Sequence, residues 1–312
     1  MSFTEEVKHE LIRNNNHNKE EMIAELSALI RINGSIQIIN KQLAVNIKLY
    51  YGDLARKIYS YIKDEFGFTM EIVVKQNNNF SRHHIYVLRI IPQQGIKKFL
   101  IKLGLLSEDE NIIFTLKESF INNKNLQKSY LRGTFLGGGS INPPESEYHL
   151  EFRTEYESHA EDILELLAQF ELKGHLIEHK NKYVIYFKSF ADITKILSII
   201  GAHQSLLNME NQHIVKNVKN NVNRRVNCET ANLEKTVKAA MEQMEDINII
   251  EKYRGFDNIS KGLKEIAKLR RKNPYASLKE LGQLLDPPLS KSGVNHRLRR
   301  LRKLADELRR GK

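Results

Sequence analysis

The side chains best suited to chemistry in this 312-residue chain crowd towards its C-terminal end. Ser292, Asn295, His296, Arg297, Arg299, Arg300 and Lys303 fall close together, with Ser277, Lys279, Ser290 and Lys291 just before them. They supply hydroxyl, amide, imidazole, guanidinium and ammonium groups. Arginine pairs with guanine and asparagine with adenine through two hydrogen bonds each, and lysine neutralises phosphate. Residues 268–312 hold fourteen Lys or Arg against four Asp or Glu, a balance of +10. The whole chain carries +11, so the first 267 residues keep only +1. Cations so concentrated bind a polyanion by releasing its condensed counterions, which makes nucleic acid the first candidate partner. A membrane surface fits less well, because the segment lacks the Trp and Phe of interfacial helices. The plainer alternative is a solvated amphipathic hairpin whose charges only keep the protein in solution.

The elements that must hold these residues decide between the two. A helical pattern over 259–271 stops at Asn273-Pro274. Ser277 and Glu280 then have capping-box spacing, in which each side chain accepts from the other residue's backbone N–H. The short helix they start carries Leu278, Leu281, Leu284 and Leu285, and Asp286-Pro287-Pro288 must break it. Ser290 or Ser292 caps a further helix running to about Leu308. At about 100° per residue, Val294, Leu298, Leu301 and Ala305 form one stripe of that helix. Ser292, His296, Arg299 and Lys303 lie opposite, with Asn295 beside them. Cap, break, cap and a basic second helix predict a helix-turn-helix at about 277–309, inside an all-α DNA-binding domain over 229–312.

Upstream, one pattern occurs twice, over about 19–105 and 126–201, within a domain spanning 19–210. Each copy reads helix, two strands, helix, two strands, helix, and Gly34-Ser35-Ile36 corresponds to Gly139-Ser140-Ile141. The fold class expected is α+β, a duplicated αββαββα pseudo-dimer followed by the helical domain. Residues 1–18 form an N-terminal segment. Residues 211–228, polar and Asn-rich with Lys216, Lys219, Arg224 and Arg225 as candidate phosphate contacts, are expected to be a basic linker. A long helix is predicted from Glu229 or Thr230 to Tyr253, ended by Gly255.

Other residues invite chemistry and do not complete it. Cys228 is the one cysteine, which excludes an internal disulfide and a multi-cysteine zinc site. His175 and His179 share a strand face but lie roughly 13 Å apart. His83 and His84 point to opposite sides of a strand. Gly137-Gly138-Gly139 lacks the Lys-Ser/Thr of a phosphate loop and reads as a helix end. No cofactor and no catalytic residue is expected. The acidic start lacks the basic and apolar regions of a signal peptide, and no apolar stretch is long enough for a transmembrane helix. The expected location is cytoplasmic and nucleoid-associated.

The two repeat helices end in LSALIRING (26–34) and LRGTFLGGG (131–139), which resemble the LAGLIDADG motif of homing endonucleases. The resemblance implies two helices packed side by side through Ala24, Ser27 and Ala28 and through Gly133, Thr134 and Gly137. It also implies an acidic residue before each final glycine, together holding divalent metal at the scissile phosphates. This chain has Asn33 and Gly138 there, so the family's metal site cannot form and the expectation is no enzyme. Nothing in the spacing of Asp53, Glu145 or Glu147 makes them replacements. The strings NRRVNCETANLEKT (223–236) and LKELGQLLDPPLSKSGVNHRLRRL (278–301) narrow the resemblance to the WhiA family of bacterial regulators over nearly the whole chain. That resemblance implies a sequence-specific DNA-binding transcriptional regulator concerned with sporulation, cell division or chromosome segregation, with room for a protein co-regulator. The alternatives are a metal-dependent DNA endonuclease and an RNA-binding splicing helper.

Overall fold

The structure, a computed structural model, describes residues 1–14, 18–76 and 84–311. Asn77-Asn78-Asn79, whose residue types suggest a turn between the third and fourth strands, and His83 lie outside the described residues. The chain divides into two compact units, Met1–Lys216 and Asn217–Lys312.

In the first unit, α1 (Phe3–Arg13) precedes α2 (Lys19–Asn33), β1 (Gly34–Ile39), β2 (Gln42–Leu49), α3 (Gly52–Phe66), β3 (Met70–Gln76), β4 (His84–Ile90) and α4 (Ile96–Lys102). A short α5 (Glu118–Ile121) leads to the second copy. That copy comprises α6 (Lys124–Gly138), β5 (Gly139–Ile141), β6 (Leu150–Thr154), α7 (Glu157–Ala168), β7 (His175–His179), β8 (Lys182–Phe187) and α8 (Phe190–Ile200). Two four-stranded antiparallel sheets result, ordered β1-β2-β4-β3 and β5-β6-β8-β7, so the duplication extends to strand order. The register places Ser35, Asn46, Arg89 and Glu71 in one row, and Ser140, Glu151, Tyr186 and His175 in the matching row.

One apolar core joins both copies. At its centre α2 packs along α6 so closely that a Cβ on Gly133 would stand 2.3 Å from the Glu25 carbonyl oxygen and 3.0 Å from the Ala28 methyl. Ala24 and Ala28 are buried as the contact requires. Ser27 is buried too, but its hydroxyl donates to the Leu103 carbonyl at 2.7 Å.

Residues 1–18, expected to stand apart as a segment, belong to this unit. Phe3, Val7, Leu11 and Ile12 of α1 are buried, and Thr4 accepts from the Ile141 N–H at 2.9 Å on β5. The signal was present, since Ser2 and Glu5 form a capping box. The linker expected over 211–228 is corrected to helix, as part of α9 (His203–Tyr253). Ile214, Val218, Val222 and Val226 recur every four residues there, a helical period that the many asparagines hid. Glu10 accepts from Gln204 N (2.7 Å), Ser205 N (2.9 Å) and Ser205 Oγ (2.6 Å), a carboxylate on the positive end of α9.

The second unit, after its part of α9, contains a 3-10 turn (Phe256–Asn258), α10 (Lys261–Lys272), α11 (Leu278–Gln283) and α12 (Lys291–Arg310). Its separate core is built on Ile247, Ile250, Ile266, Leu281, Val294, Leu298 and Leu301.

His159, fully buried in the first unit, bonds Tyr130 Oη at 2.8 Å and Thr154 Oγ1 at 2.9 Å. Burial, helped by the charge of Arg31, lowers its pKa from 6.5 to about 3. The folded imidazole therefore stays neutral while the unfolded one takes a proton as the pH falls through 6.5. The stability it contributes is intact above 6.5 and is lost towards 3, at up to about 1.4 kcal/mol per pH unit. Urea unfolding of wild type and His159→Gln from neutral pH downwards tests this. The wild type should show the steeper acid loss of stability, and parallel profiles would refute the assignment.

Candidate nucleic-acid interface

The second unit carries the dense basic cluster of the C-terminal end. Ser277 caps α11, accepting from Glu280 N at 3.3 Å, while its own N–H donates to Glu280 Oε2 at 2.7 Å. Gly282 of α11 lies against the Leu289 carbonyl oxygen, which a Cβ there would approach to 2.2 Å. This close approach tightens the turn between α11 and α12. Between the two candidate caps the structure selects Ser290, whose Oγ accepts from Gly293 N at 3.2 Å and lies 2.8 Å from Ser292 Oγ. Val294, Leu298, Leu301 and Ala305 are all buried, as their stripe required. Ser292, His296, Arg299 and Lys303 are exposed on the other side, together with Lys291 and Arg300, and Asn295 is half-buried beside them. Lys279 is exposed on α11.

Arg297 is placed differently from its neighbours. Its Nη1 donates to the Gly262 carbonyl at 3.2 Å and lies 3.7 Å from Glu265, so it ties α12 to α10. Arg302 reaches Glu242 at 3.3 Å, and Arg309 reaches Asp246 at 2.9 Å, fixing α12 against α9. Arg270 is buried and donates to the Ala276 carbonyl at 2.6 Å, holding the approach to α11. Desolvation lowers the Arg270 pKa from its usual value. These arginines inflate the basic count, and their partners lie far off in sequence or on the backbone, where spacing gives no signal.

The four basic residues of 211–228 lie on α9. Lys216 donates to the Ser146 carbonyl at 2.7 Å and stands 4.7 Å from the Tyr148 ring, within the first unit. Arg225 pairs with Glu229 at 3.0 Å, while Lys219 and Arg224 are exposed.

In the first unit, Asn33 and Gly138 are the last residues of α2 and α6 and line one cleft of about 600 Å³. Asn33 Nδ2 donates to the Lys48 carbonyl at 3.0 Å. A Cβ on Gly138 would meet the Arg153 carbonyl at 2.3 Å, so that position leaves no room for a carboxylate in this backbone arrangement. Glu155 is the single carboxylate of the lining among the described residues, 3.6 Å from Lys182, against Lys8, Lys48, Arg153 and Lys182. A hard divalent cation needs several anionic oxygens, and this lining does not fit one. Asp53 is paired with His9 at 2.5 Å. His175 stacks on Tyr186 with ring centroids 5.3 Å apart.

Fold and site together define a class: a duplicated LAGLIDADG-like α+β domain followed in the chain by a helix-turn-helix domain. Three family models agree with that division: the WhiA N-terminal LAGLIDADG-like domain over residues 19–106, the WhiA LAGLIDADG-like domain over 127–219, and the WhiA C-terminal HTH domain over 222–305. A "Probable cell division protein WhiA" from Halothermothrix orenii is 61% identical over 310 residues, covering 99% of each chain. A protein of the same description from Clostridium botulinum is 45% identical over 314 residues and 100% of both chains. The crystal structure of full-length WhiA from Thermatoga maritima aligns with a TM-score of 0.61 at 27% identity, over 98% of this chain and 99% of that one. The chain belongs to the WhiA family.

Arg297→Ala should destabilise the second unit by about 1.5 kcal/mol, the low end for a hydrogen bond from a charged group, because the side chain is only partly buried. It should leave the ratio of preferred to random DNA affinity unchanged. Denaturant melts and binding to both DNAs check this, and a collapse of the ratio would place Arg297 at the bases instead.

Proposed function

We propose that this protein is a sequence-specific, double-stranded DNA-binding transcriptional regulator. In this reading α12 reads bases in the major groove, and the protein acts in cell division, chromosome segregation or sporulation. The observation that carries the reading is the two-sidedness of α12, with Val294, Leu298, Leu301 and Ala305 buried and Ser292, His296, Arg299 and Lys303 exposed. A helix anchored along one side can offer the other to a groove without changing its own packing. Ser290 fixes the start of α12 and Ser292 continues it outward, while Lys291, Arg300 and Lys279 flank the exposed face and suit phosphates. Asn295, at the edge of this face, suits adenine. Cell division enters through the description of the relatives, and the nucleoid is the location that DNA binding implies.

The LAGLIDADG-like domain has lost nuclease activity in this reading, for want of acidic side chains at Asn33 and Gly138. It serves instead to add backbone affinity or to hold a protein co-regulator. Lys216, Lys219, Arg224 and Arg225 are phosphate contacts, with Lys219 and Arg224 the freer pair.

Arg299→Ala should weaken binding to preferred DNA by about 1–3 kcal/mol while sparing random DNA. Lys219→Ala should weaken both alike and reduce the salt slope by about one phosphate contact. Fluorescence anisotropy with both duplexes at several salt concentrations measures each. Equal losses for Arg299→Ala on the two DNAs would remove base reading by this residue. Duplex nicking with Mg²⁺ or Mn²⁺ that a chelator abolishes would restore the endonuclease reading.

A further inference from the structure

The cleft at the ends of α2 and α6 does not suit a metal, and its lining has a definite character of its own. Lys8, from α1, is one of its walls. The residue is only 7% exposed, and no hydrogen bond or ion pair to it is present among the described residues. Its Nζ has aromatic faces nearby, 5.6 Å from the Tyr51 ring centroid and 5.9 Å from that of Phe135. Ring quadrupoles ease the burial of an ammonium but accept none of its three hydrogen bonds directionally. Its hydrogen bonds therefore go to whatever fills the cleft, water or a bound acceptor.

The rest of the lining indicates what that would be. Lys48 and Lys182 are exposed at its rim, and Arg153 shares it. Four cations stand against Glu155 and against Glu151, which pairs with Arg153 at 2.5 Å, so the cleft and its immediate border keep +2. Ser35 and Ser140 add hydroxyl groups, and Ser140 already donates to Glu151 at 2.7 Å. Cationic donors brought in from α1, β2, β6 and β8 suit an anion whose oxygens point in several directions. A planar carboxylate would use fewer of them.

We propose that this cleft binds a phosphoryl group, with the Lys8 ammonium as its buried contact. Burial lowers the Lys8 pKa to about 8, so the side chain is still mostly protonated at neutral pH, and a bound anion would favour that charged form. Phosphoryl binding here does not depend on base reading by α12, because the cleft belongs wholly to the first unit.

Isothermal titration of the full-length protein with inorganic phosphate tests it. Wild type should bind, and Lys8→Met, which keeps the unbranched apolar stem, should bind at least about tenfold more weakly, as expected for losing a charge-assisted contact. The double variant Lys48→Ala, Lys182→Ala alters only exposed side chains. It should weaken phosphate as well, so the test stands even if Lys8→Met fails to fold. Adding a random-sequence duplex then identifies the source of the phosphoryl group. Displacement of bound phosphate by the duplex means DNA backbone, and phosphate retained beside bound DNA means a free phosphate or nucleotide. Arg299→Ala should leave phosphate affinity unchanged, which separates this proposal from base reading. Phosphate affinity that is absent from wild type, or unaltered in folded Lys8→Met and in the double variant, would overturn it.

Discussion

Backbone against backbone, the approach of α6 to α2 at Gly133 governs the architecture of residues 1–216. A hydrogen in place of a side chain lets the Glu25 carbonyl come within the space a Cβ would need. Helices usually stand 8–10 Å apart because side chains hold them there, and small residues at the contact remove that spacer. Each repeat has one apolar face of its own, and the joint core forms only when the two helices close on one another. The same contact brings the ends of α2 and α6 together, and with them the first residues of β1 and β5. The cleft is therefore a consequence of helix packing before it is a site.

Charge is buried close to that contact. Glu25 is inaccessible, with Lys57 Nζ at 3.5 Å and Arg132 Nε at 3.4 Å. Desolvation lowers the Arg132 pKa, with the charge of Glu25 acting against it. Taking three charges out of water costs more than their attraction readily returns, so such a group adds little net stability. Removing one member alone would strand the others, and the three therefore hold α2, α3 and α6 in a single register. In the second unit the balance is simpler. A small apolar core holds one side of α12, and arginines not facing outward are tied to Gly262, Glu242 and Asp246. The helix can then carry a dense positive face without that face having to hold the unit together.

Much of this was legible along the chain, for reasons that are local. The strands alternate, the repeat helices end at Gly34 and Gly139, and the α11 and α12 caps are side chains three residues from the groups they satisfy. What was not legible depended on distant partners. Arg297 has the same composition and nearly the same spacing as Arg299, and only the position of α10 makes it a packing residue. The helix over 211–228 was hidden by its many asparagines, and its apolar stripe is exposed. Val218 and Val222 are 58% and 54% accessible, so they lack the burial that usually makes such a stripe meaningful. The α1 capping box was readable, but nothing in the sequence of α1 says that it packs against α3, α6 and β5.

The charges of the cleft arrive on elements such as α1, outside the geometry of the helix pair. In the cleft, the helix ends contribute an amide at Asn33 and bare backbone at Gly138, and neither brings a charge. The charges come from outside the two helix ends: Lys8 on α1, Lys48 on β2, Arg153 on β6 and Lys182 on β8. Cations at these places would repel a divalent metal even if a carboxylate were placed at position 33 alone. An acid at position 138 would also meet the Arg153 carbonyl, so the backbone would have to move first. The surroundings and the helix ends thus disfavour a metal for independent reasons, one electrostatic and one steric. Changing either leaves the other in place.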